Sequence, residues 1–307
     1  MILPFTIQQL RIFKAIASEK SFTKAAEILF VSQPSLSKQI KVLENRLGIL
    51  LLNRTGNKIY LTEAGNIFLQ YCERILALCE ETCRALNNLK DGERGNLKVG
   101  ASQTIGTYLM PRLLTLFTQN YPQINLNIDI DSTKIIAKKV ADQMIDIGIV
   151  EGDIPTNLKK NLEIEYFADD EIILIIPKSH PFAQNEQKKI DKEDLYHLNF
   201  ITLDSNSTIH NFINKILLQN KIQTKQLNVI MELNSIEAIK MAVSLGLGAA
   251  FISSSAIERE LKLKTVEIIT IEKIKITRTL SIITNLDSHK SRAFDFFYNE
   301  LWLLKNL

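Results

Sequence analysis

A run of spaced apolar residues in the first third of the chain limits its fold more than any other feature. Phe68, Cys72, Ile75, Cys79, Thr82, Leu86 and Leu89 are separated by 4, 3, 4, 3, 4 and 3 positions. This spacing averages 3.5 residues, so the set lines one edge of an α-helix over three heptads. A helix from about Thr62 to Leu89 with one narrow apolar edge calls for a partner to cover that edge. The segment Lys90-Asp-Gly-Glu-Arg-Gly-Asn96 then combines charge with two glycines and supplies a hinge. The chain is thereby divided into a head, a long helix and a body.

In the head, residues 7–18 (IQQLRIFKAIAS) carry helical spacing, and Ser21 or Thr23 is placed to cap a second helix over TKAAEILF. Ser32 is placed to cap a third. Pro34 falls in the first turn of that helix, where the missing N–H has no intrahelical partner anyway. At 100° per residue, Leu36, Ile40, Leu43 and Leu47 form one stripe, while Pro34, Lys38 and Lys41 lie roughly 140–200° away with Ser37 on the flank. Gly48 suits the helix end, and LLLNR and KIYL read as a hairpin around Thr55-Gly56-Asn57.

Charge sets the head apart. Residues 1–62 hold nine Lys/Arg against three acids, a net +6, whereas the remainder holds 28 against 31, a net −3. A small basic module joined to a larger, slightly acidic body fits a polyanion partner for the first and another task for the second. On the third helix, Gln33, Ser35 and Ser37 can donate to and accept from base edges, and Lys38, Lys41 and Arg54 of the hairpin can neutralise phosphates. The same pattern also describes a three-helix core with a solvated polar face.

The body, with 46% of the whole chain hydrophobic, has ample material for further cores, and 307 residues exceed the ~250–300 at which one core stops growing. Strands are expected at LKVGAS, INLNIDI, IDIGIVE, EIILIIP, NFITL, LNVIMEL, GAAFIS and TLSIIT, with helices near 106–119, 133–143, 208–220, 235–245 and 289–305. Alternation at this spacing gives an α/β body with parallel or mixed sheets in two lobes.

The run SFTKAAEILFVSQPSLSKQIKVLENRLGILLLNRTGNKIYLTEAG resembles the DNA-binding domain of LysR-type transcriptional regulators. The likeness runs through Ala25-Ala26, Leu29, Ser32-Gln33-Pro34, Leu36-Ser37, Gln39-Ile40, Leu43-Glu44, Leu47-Gly48, Arg54 and Leu61-Thr62-Glu63-Ala64-Gly65; Leu52 departs from it, since the family usually has Phe there. The resemblance implies a winged helix-turn-helix over 1–61, with DNA contact by Thr23, Ser32, Gln33, Pro34, Ser35, Ser37, Lys38, Lys41 and Arg54. It also implies a dimerising linker helix and hinge over 62–95, with Phe68, Cys72, Ile75, Cys79 and Leu86 facing the partner. Residues 96–307 would form a two-lobed, periplasmic-binding-protein-like effector domain, lobe 1 at about 96–165 and 270–307, lobe 2 at about 166–269.

Such folds hold ligands in the cleft between lobes, at strand ends and helix N-termini. Ser102, Gln103 and Thr104 end the first strand directly before a helix, where an anion finds free backbone N–H groups. Thr202 ends FITL, and Asn234-Ser235 precede another helix; the alternative for Ser102, Thr104 and Ser235 is simple helix capping. Further stretches, ASQTIGTYLMPRLL, PKSHPF, FITLDSNSTI and MELNSIEAIKMAVSLGLGAAFISSSAIE, resemble the branch of the family that regulates Rubisco operons in cyanobacteria and algal plastids. That resemblance implies promoter DNA with dyad-related half-sites, a homodimer or tetramer, contact with RNA polymerase, and a phosphorylated sugar, phosphoglycolate or nicotinamide nucleotide as effector. The Ile, Lys and Asn bias and the absence of a transit-type leader fit a plastid stroma, or otherwise a bacterial cytoplasm.

Other functions find little support. Gly246-x-Gly248 lacks a third glycine and precedes a strand, the reverse of the dinucleotide-binding order. His180, His197, His210 and His289 are scattered, and Cys72, Cys79 and Cys83 have no metal-site spacing, so neither an enzyme nor a metal or cofactor is expected. The expectation for the cysteines is reduced thiols, with Cys72 and Cys79 as small hydrophobes of the helix edge. No apolar run reaches the roughly 18 residues of a membrane span.

Overall fold

The computed structural model of the chain describes residues 3–55, 58–91, 95–184, 187–205 and 207–304. They form two compact units, Met1–Gly95 with Asp142–Met144, and Asn96–Ala141 with Ile145–Leu307. Each is built around its own apolar clusters.

In the first unit, α1 (Ile7–Glu19) opens with a reciprocal cap: Gln9 N–H donates to Thr6 Oγ1 at 3.2 Å and Thr6 N–H to Gln9 Oε1 at 3.0 Å. Of the two caps offered by the sequence for α2 (Phe22–Ile28), Ser21 is used, accepting from Lys24 N–H at 3.3 Å, and Thr23 is left exposed. Helix α3 (Gln33–Leu47) carries Pro34 in its first turn, as the sequence predicts. Ser32 occupies the N-cap position but its side chain makes no capping bond, so the expected cap is absent and the hydroxyl stays exposed. Gly48, at φ +70°, ends the helix.

Leu36, Ile40 and Leu43 are fully buried with Leu10, Phe13 and Ile16, while Leu47 is half-buried. Strands β1 (Leu52–Thr55) and β2 (Lys58–Leu61) pair antiparallel, with Leu52 opposite Leu61 and Arg54 opposite Ile59. The recognition-side helix also anchors the hairpin, because Glu44 Oε1 accepts from Leu51 N–H at 2.8 Å and Leu52 N–H at 3.1 Å. Leu52 is buried in the same cluster, so the smaller residue is absorbed by the core.

Helix α4 (Glu63–Asp91) is joined tightly to that core. Thr62 donates through Oγ1 to Leu50 O at 2.7 Å and accepts from Gly65 N–H at 2.9 Å. Gly65 is required here, since a Cβ would lie 2.0 Å from Leu51 O. The heptad edge divides in use. Phe68 packs edge-on against Phe13, centroids 5.1 Å apart; Cys72 is fully buried and donates S–H to Leu10 O at 3.1 Å; Ile75 joins the same cluster. The sequence expects all three to face a partner; Cys72 is instead enclosed against α1 of its own chain, while Phe68 and Ile75 are half-buried against the same core. Cys79 is half-buried, and among the described residues the exposed apolar row on α4 is Ile67, Tyr71, Leu78 and Leu86. The side chain of Leu89 lies outside the described residues.

In the second unit, β3 (Gly95–Ser102), β4 (Ile124–Asp131) and β5 (Ile147–Glu151) lie on one side of β12 (Ile276–Asn285), in the order β4-β3-β5-β12. Strand β6 (Leu162–Pro177) follows, then β11 (Val266–Ile271) and the short β7 (Lys189–Ile190), while β10 (Ala250–Ser253) also pairs with β6. Strands β8 (Asn199–Leu203) and β9 (Asn228–Leu233) form a parallel pair. The sheet is mixed: β3 and β5 are parallel, whereas β12 is antiparallel to both β5 and β6. Covering helices are α5 (Met110–Asn120), α6 (Thr133–Ala141), the single turn α7 (Thr156–Lys159), α8 (Thr208–Gln219), α9 (Ile236–Ser244), α10 (Glu258–Lys262) and α11 (Arg292–Leu304).

Helix 106–119 of the sequence reading is in fact two pieces, a π-helical turn over Ile105–Leu109 followed by α5, with Pro111 in the first turn of the second. Two cores define two lobes. Phe167 and Leu280 belong to the first with Val99, Phe117 and Phe297; Ile172 and Ile276 belong to the second with Phe200 and Leu217. The changeover therefore lies between Phe167 and Ile172 on β6 and between Ile276 and Leu280 on β12, a few residues beyond the 166 and 270 read from the sequence. Among the described residues no helix is long and apolar enough to cross a membrane.

Candidate nucleic-acid interface and effector cleft

The face of α3 opposite its buried stripe is continuous and polar. Ser32, Gln33, Pro34, Ser35, Lys38 and Lys41 are exposed and Ser37 is half-buried on the flank, while Thr23 is exposed on α2. The helix is held from behind: buried Gln9 donates through Nε2 to Gln39 Oε1 at 3.3 Å, and Glu44 grips the hairpin. Side chains at 33, 35, 37 and 38 thus project from a rigid, convex rod of a width that fits a DNA major groove. Arg54 has its backbone in β1; its side chain lies outside the described residues.

Cys72, between α4 and α1, is pushed up to about 12 by burial, with Lys14 pulling the other way. A thiol held protonated at neutral pH is a packing group and not a nucleophile.

In the second unit a cavity of ≈ 280 Å³ opens between the lobes, walled by Ser102, Gln103, Thr104, Ser132, Thr133, Glu151 and, across from them, Asp204, Ser207, Thr208 and Asn234. Four chain segments begin a helix at its rim, near residues 103, 133, 208 and 236, and each carries a hydroxyl or amide there. These helix starts give the cavity a positive backbone field, and an adjoining cavity that shares Glu151, Thr208 and Ile209 is lined by Lys215 and Arg278. Of the residues picked out from sequence, Ser102, Gln103, Thr104 and Asn234 come together here. Ser235 does not line the cavity; it caps α9, accepting from Ala238 N–H at 3.4 Å. Thr202 lines another cavity of ≈ 240 Å³ in the second lobe, with Phe200, His210 and Leu217.

Sequence reasoning missed Ser132-Thr133 and Ser207-Thr208, although both repeat the hydroxyl-before-helix pattern that singled out Ser102 and Thr104. It also missed a buried ion cluster behind the cavity, whose only signal is charge inside otherwise apolar strands. Arg278 on β12 donates from Nε and Nη2 to Asp170 Oδ2, each at 2.7 Å, and its Nη1 lies 3.0 Å from Glu151 Oε1. Thr104 Oγ1 accepts from Arg278 Nη2 and donates to Glu151 Oε1, both at 3.1 Å, and Ser253 Oγ donates to Asp170 Oδ1 at 2.6 Å. Arg278 and Asp170 face each other at the lobe changeover, so the cluster ties Thr104 and Glu151 of one lobe to Ser253 of the other.

Burial pushes the Glu151 carboxyl above its ordinary range; Arg278 opposes this and Asp170 adds to it. A second inter-lobe link joins Tyr108 to Glu237, O–H donating at 2.6 Å, and Arg112 to Glu258. Burial, and then that hydrogen bond, push the Tyr108 phenol up.

A basic reading head and a metabolite-sized cleft in one chain describe a ligand-responsive DNA-binding regulator. Residues 7–66 match the bacterial regulatory helix-turn-helix protein of the lysR family, and residues 90–302 match the LysR substrate binding domain. The chain belongs to the LysR family of transcriptional regulators. A "Probable RuBisCO transcriptional regulator" of Thalassiosira pseudonana is 84% identical over 100% of both chains. In fold, the chain is similar to full-length CbnR complexed with the target DNA, at a TM-score of 0.70 and 21% identity, covering 97% of this chain and 99% of that one. The CcmR regulatory domain of Synechocystis PCC6803 in complex with 2-PG gives a TM-score of 0.60 at 23% identity, over 68% of this chain and 97% of that one.

Proposed function

We propose that this regulator controls a Rubisco operon in a plastid, reading a dyad promoter element as a homodimer or tetramer and answering to a small anionic metabolite in the lobe cleft. The observation that carries the target is the full-length, 84% identical relative of that description. Base reading falls to Gln33, Ser35 and Ser37 at the start of α3. Lys38, Lys41 and Arg54 meet phosphates, and Thr23, Ser32 and Pro34 border the groove. Two copies of α3 one helical turn apart would give the two-fold site, and the exposed row of α4 together with Cys79 supplies a surface for the second copy.

The cleft reading rests on four helix starts and their hydroxyls around one cavity, and the CcmR neighbour with 2-PG supports a small-molecule occupant. A phosphorylated sugar, phosphoglycolate or a nicotinamide nucleotide is the class of effector. Ser102, Gln103, Thr104 and Asn234 contact it, and bound effector changes the recruitment of RNA polymerase. Footprinting on the promoter of the Rubisco operon is the test: two protected half-sites about one helical turn apart are expected, and uniform, sequence-independent protection refutes the target.

A further inference from the structure

The turn that joins α2 to α3 breaks two rules of local structure at one residue. Helix α2 closes on Leu29 with a pair of hydrogen bonds: Phe30 N–H donates to Glu27 O at 3.2 Å and Val31 N–H to Ala26 O at 3.0 Å. Such a closure needs a left-handed residue just past the cap, where glycine is the usual choice. Here that residue is Phe30, at φ +54°. Its side chain is also 95% exposed, more than any other large hydrophobic among the described residues.

Neither cost is recovered within the chain, since the neighbouring Leu29 already packs against the head core. An exposed apolar side chain or a left-handed residue is ordinary by itself. Both together in one bulky residue are not. A strained residue that the fold does not use points to a contact made outside the fold.

The surroundings of Phe30 describe that contact. Ile28 and Val31 are exposed on either side of it, and exposed Glu27 adds a negative charge. The segment runs directly into Ser32 and Gln33, the first exposed groups of the reading face. Whatever covers Phe30 must therefore sit on or beside the same DNA. Nucleic acid is a poor occupant, because apolar side chains and a carboxylate offer nothing to a phosphate backbone. A protein bound to the adjoining DNA, with an apolar socket and a basic rim, matches both the side chains and the charge.

We propose that Ile28, Phe30 and Val31, with Glu27 at their edge, dock RNA polymerase next to the operator, and that Phe30 is the anchor. The inference rests on the reading of this chain as a promoter regulator.

Footprinting the full-length protein and a bacterial-type RNA polymerase together on the Rubisco-operon promoter tests it, with Phe30→Gly as the central variant. Glycine suits the left-handed backbone, so this variant should melt no lower than the wild type and protect the operator identically. The wild type should raise the affinity of polymerase for the promoter about tenfold or more, and Phe30→Gly should abolish most of that gain. Ile28→Ser and Glu27→Lys should each remove a smaller part, while Phe30→Leu keeps more of it than glycine does. An equal gain with wild type and Phe30→Gly, or no gain from wild type on a promoter that it protects, overturns the docking surface and leaves the regulator reading intact. Altered operator affinity in Phe30→Gly would assign the ring to DNA, and a shortened footprint of the protein alone would assign it to a second copy; either result also overturns the proposal. Failure of the wild type to protect the promoter removes the regulator reading and this inference together.

Discussion

The reading head and the effector cleft organise their polar atoms in opposite ways. On α3 the exposed groups from Gln33 to Lys41 belong to one helix, backed by a separate apolar stripe. The cleft assembles atoms from residues 102–104, 132–133, 151, 204, 207–208 and 234, and leans on Arg278 beside them. A side chain of the first kind can be exchanged without disturbing its neighbours, because backbone and core position it. Groups of the second kind share partners, so they act as a unit and their substitutions do not add.

The sharpest challenge to this contrast is Arg278→Ala. It strands two buried carboxylates and should cost about 3–5 kcal/mol in denaturant unfolding of the effector unit, with little change in the head. A loss below about 1 kcal/mol would mean the cluster is dispensable. Gln33→Ala should lower discrimination at one base pair by about 1–3 kcal/mol, read from binding to a panel of single-base operator variants. Unaltered preference across the panel removes Gln33 from base reading. Ser235→Ala removes a cap and should cost about 1 kcal/mol of stability without changing effector affinity, which separates capping hydroxyls from lining ones.

Lys38→Ala should weaken binding to all sequences alike and reduce the salt slope by about 1, a uniform effect unlike that of Gln33. The smallest change concerns the thiols. At pH 8 an alkylating reagent should label exposed Cys83 and spare Cys72, whose thiol stays protonated up to about 12; labelling of Cys72 in the native protein would contradict its burial.

The contrast also explains what could be read without coordinates. Helix α3 was legible because its stripe, its first-turn proline and its final glycine all lie within sixteen residues, Gln33 to Gly48. The hydroxyls of Ser102 and Thr104 were legible for the same local reason. Glu151, Asp170 and Arg278 were not, since nothing near each of them marks the other two, and only the register of β6 with β12 brings the last pair together. That Cys72 is enclosed by its own chain escaped notice for a related reason. A heptad edge shows that a surface will be covered, and here α1 covers half of it. Strand 162–170 escaped notice because Glu163 and Glu165 interrupt its apolar pattern.

The two strands that pass through both lobes set an order on the birth of the protein. The second lobe draws its core from one uninterrupted stretch, Ile172 to Ile276, and can condense as soon as that stretch has left the ribosome. The first lobe must wait, because Leu280, Ile282, Phe294, Phe297 and Leu301 complete a core begun at Leu97. Throughout that interval β5 presents the edge that β12 will cover, and the incomplete sheet shows bare apolar faces to the surroundings. The nascent first lobe is therefore the part most exposed to chaperones and to aggregation, and the loss of α11 would cripple it while sparing its neighbour.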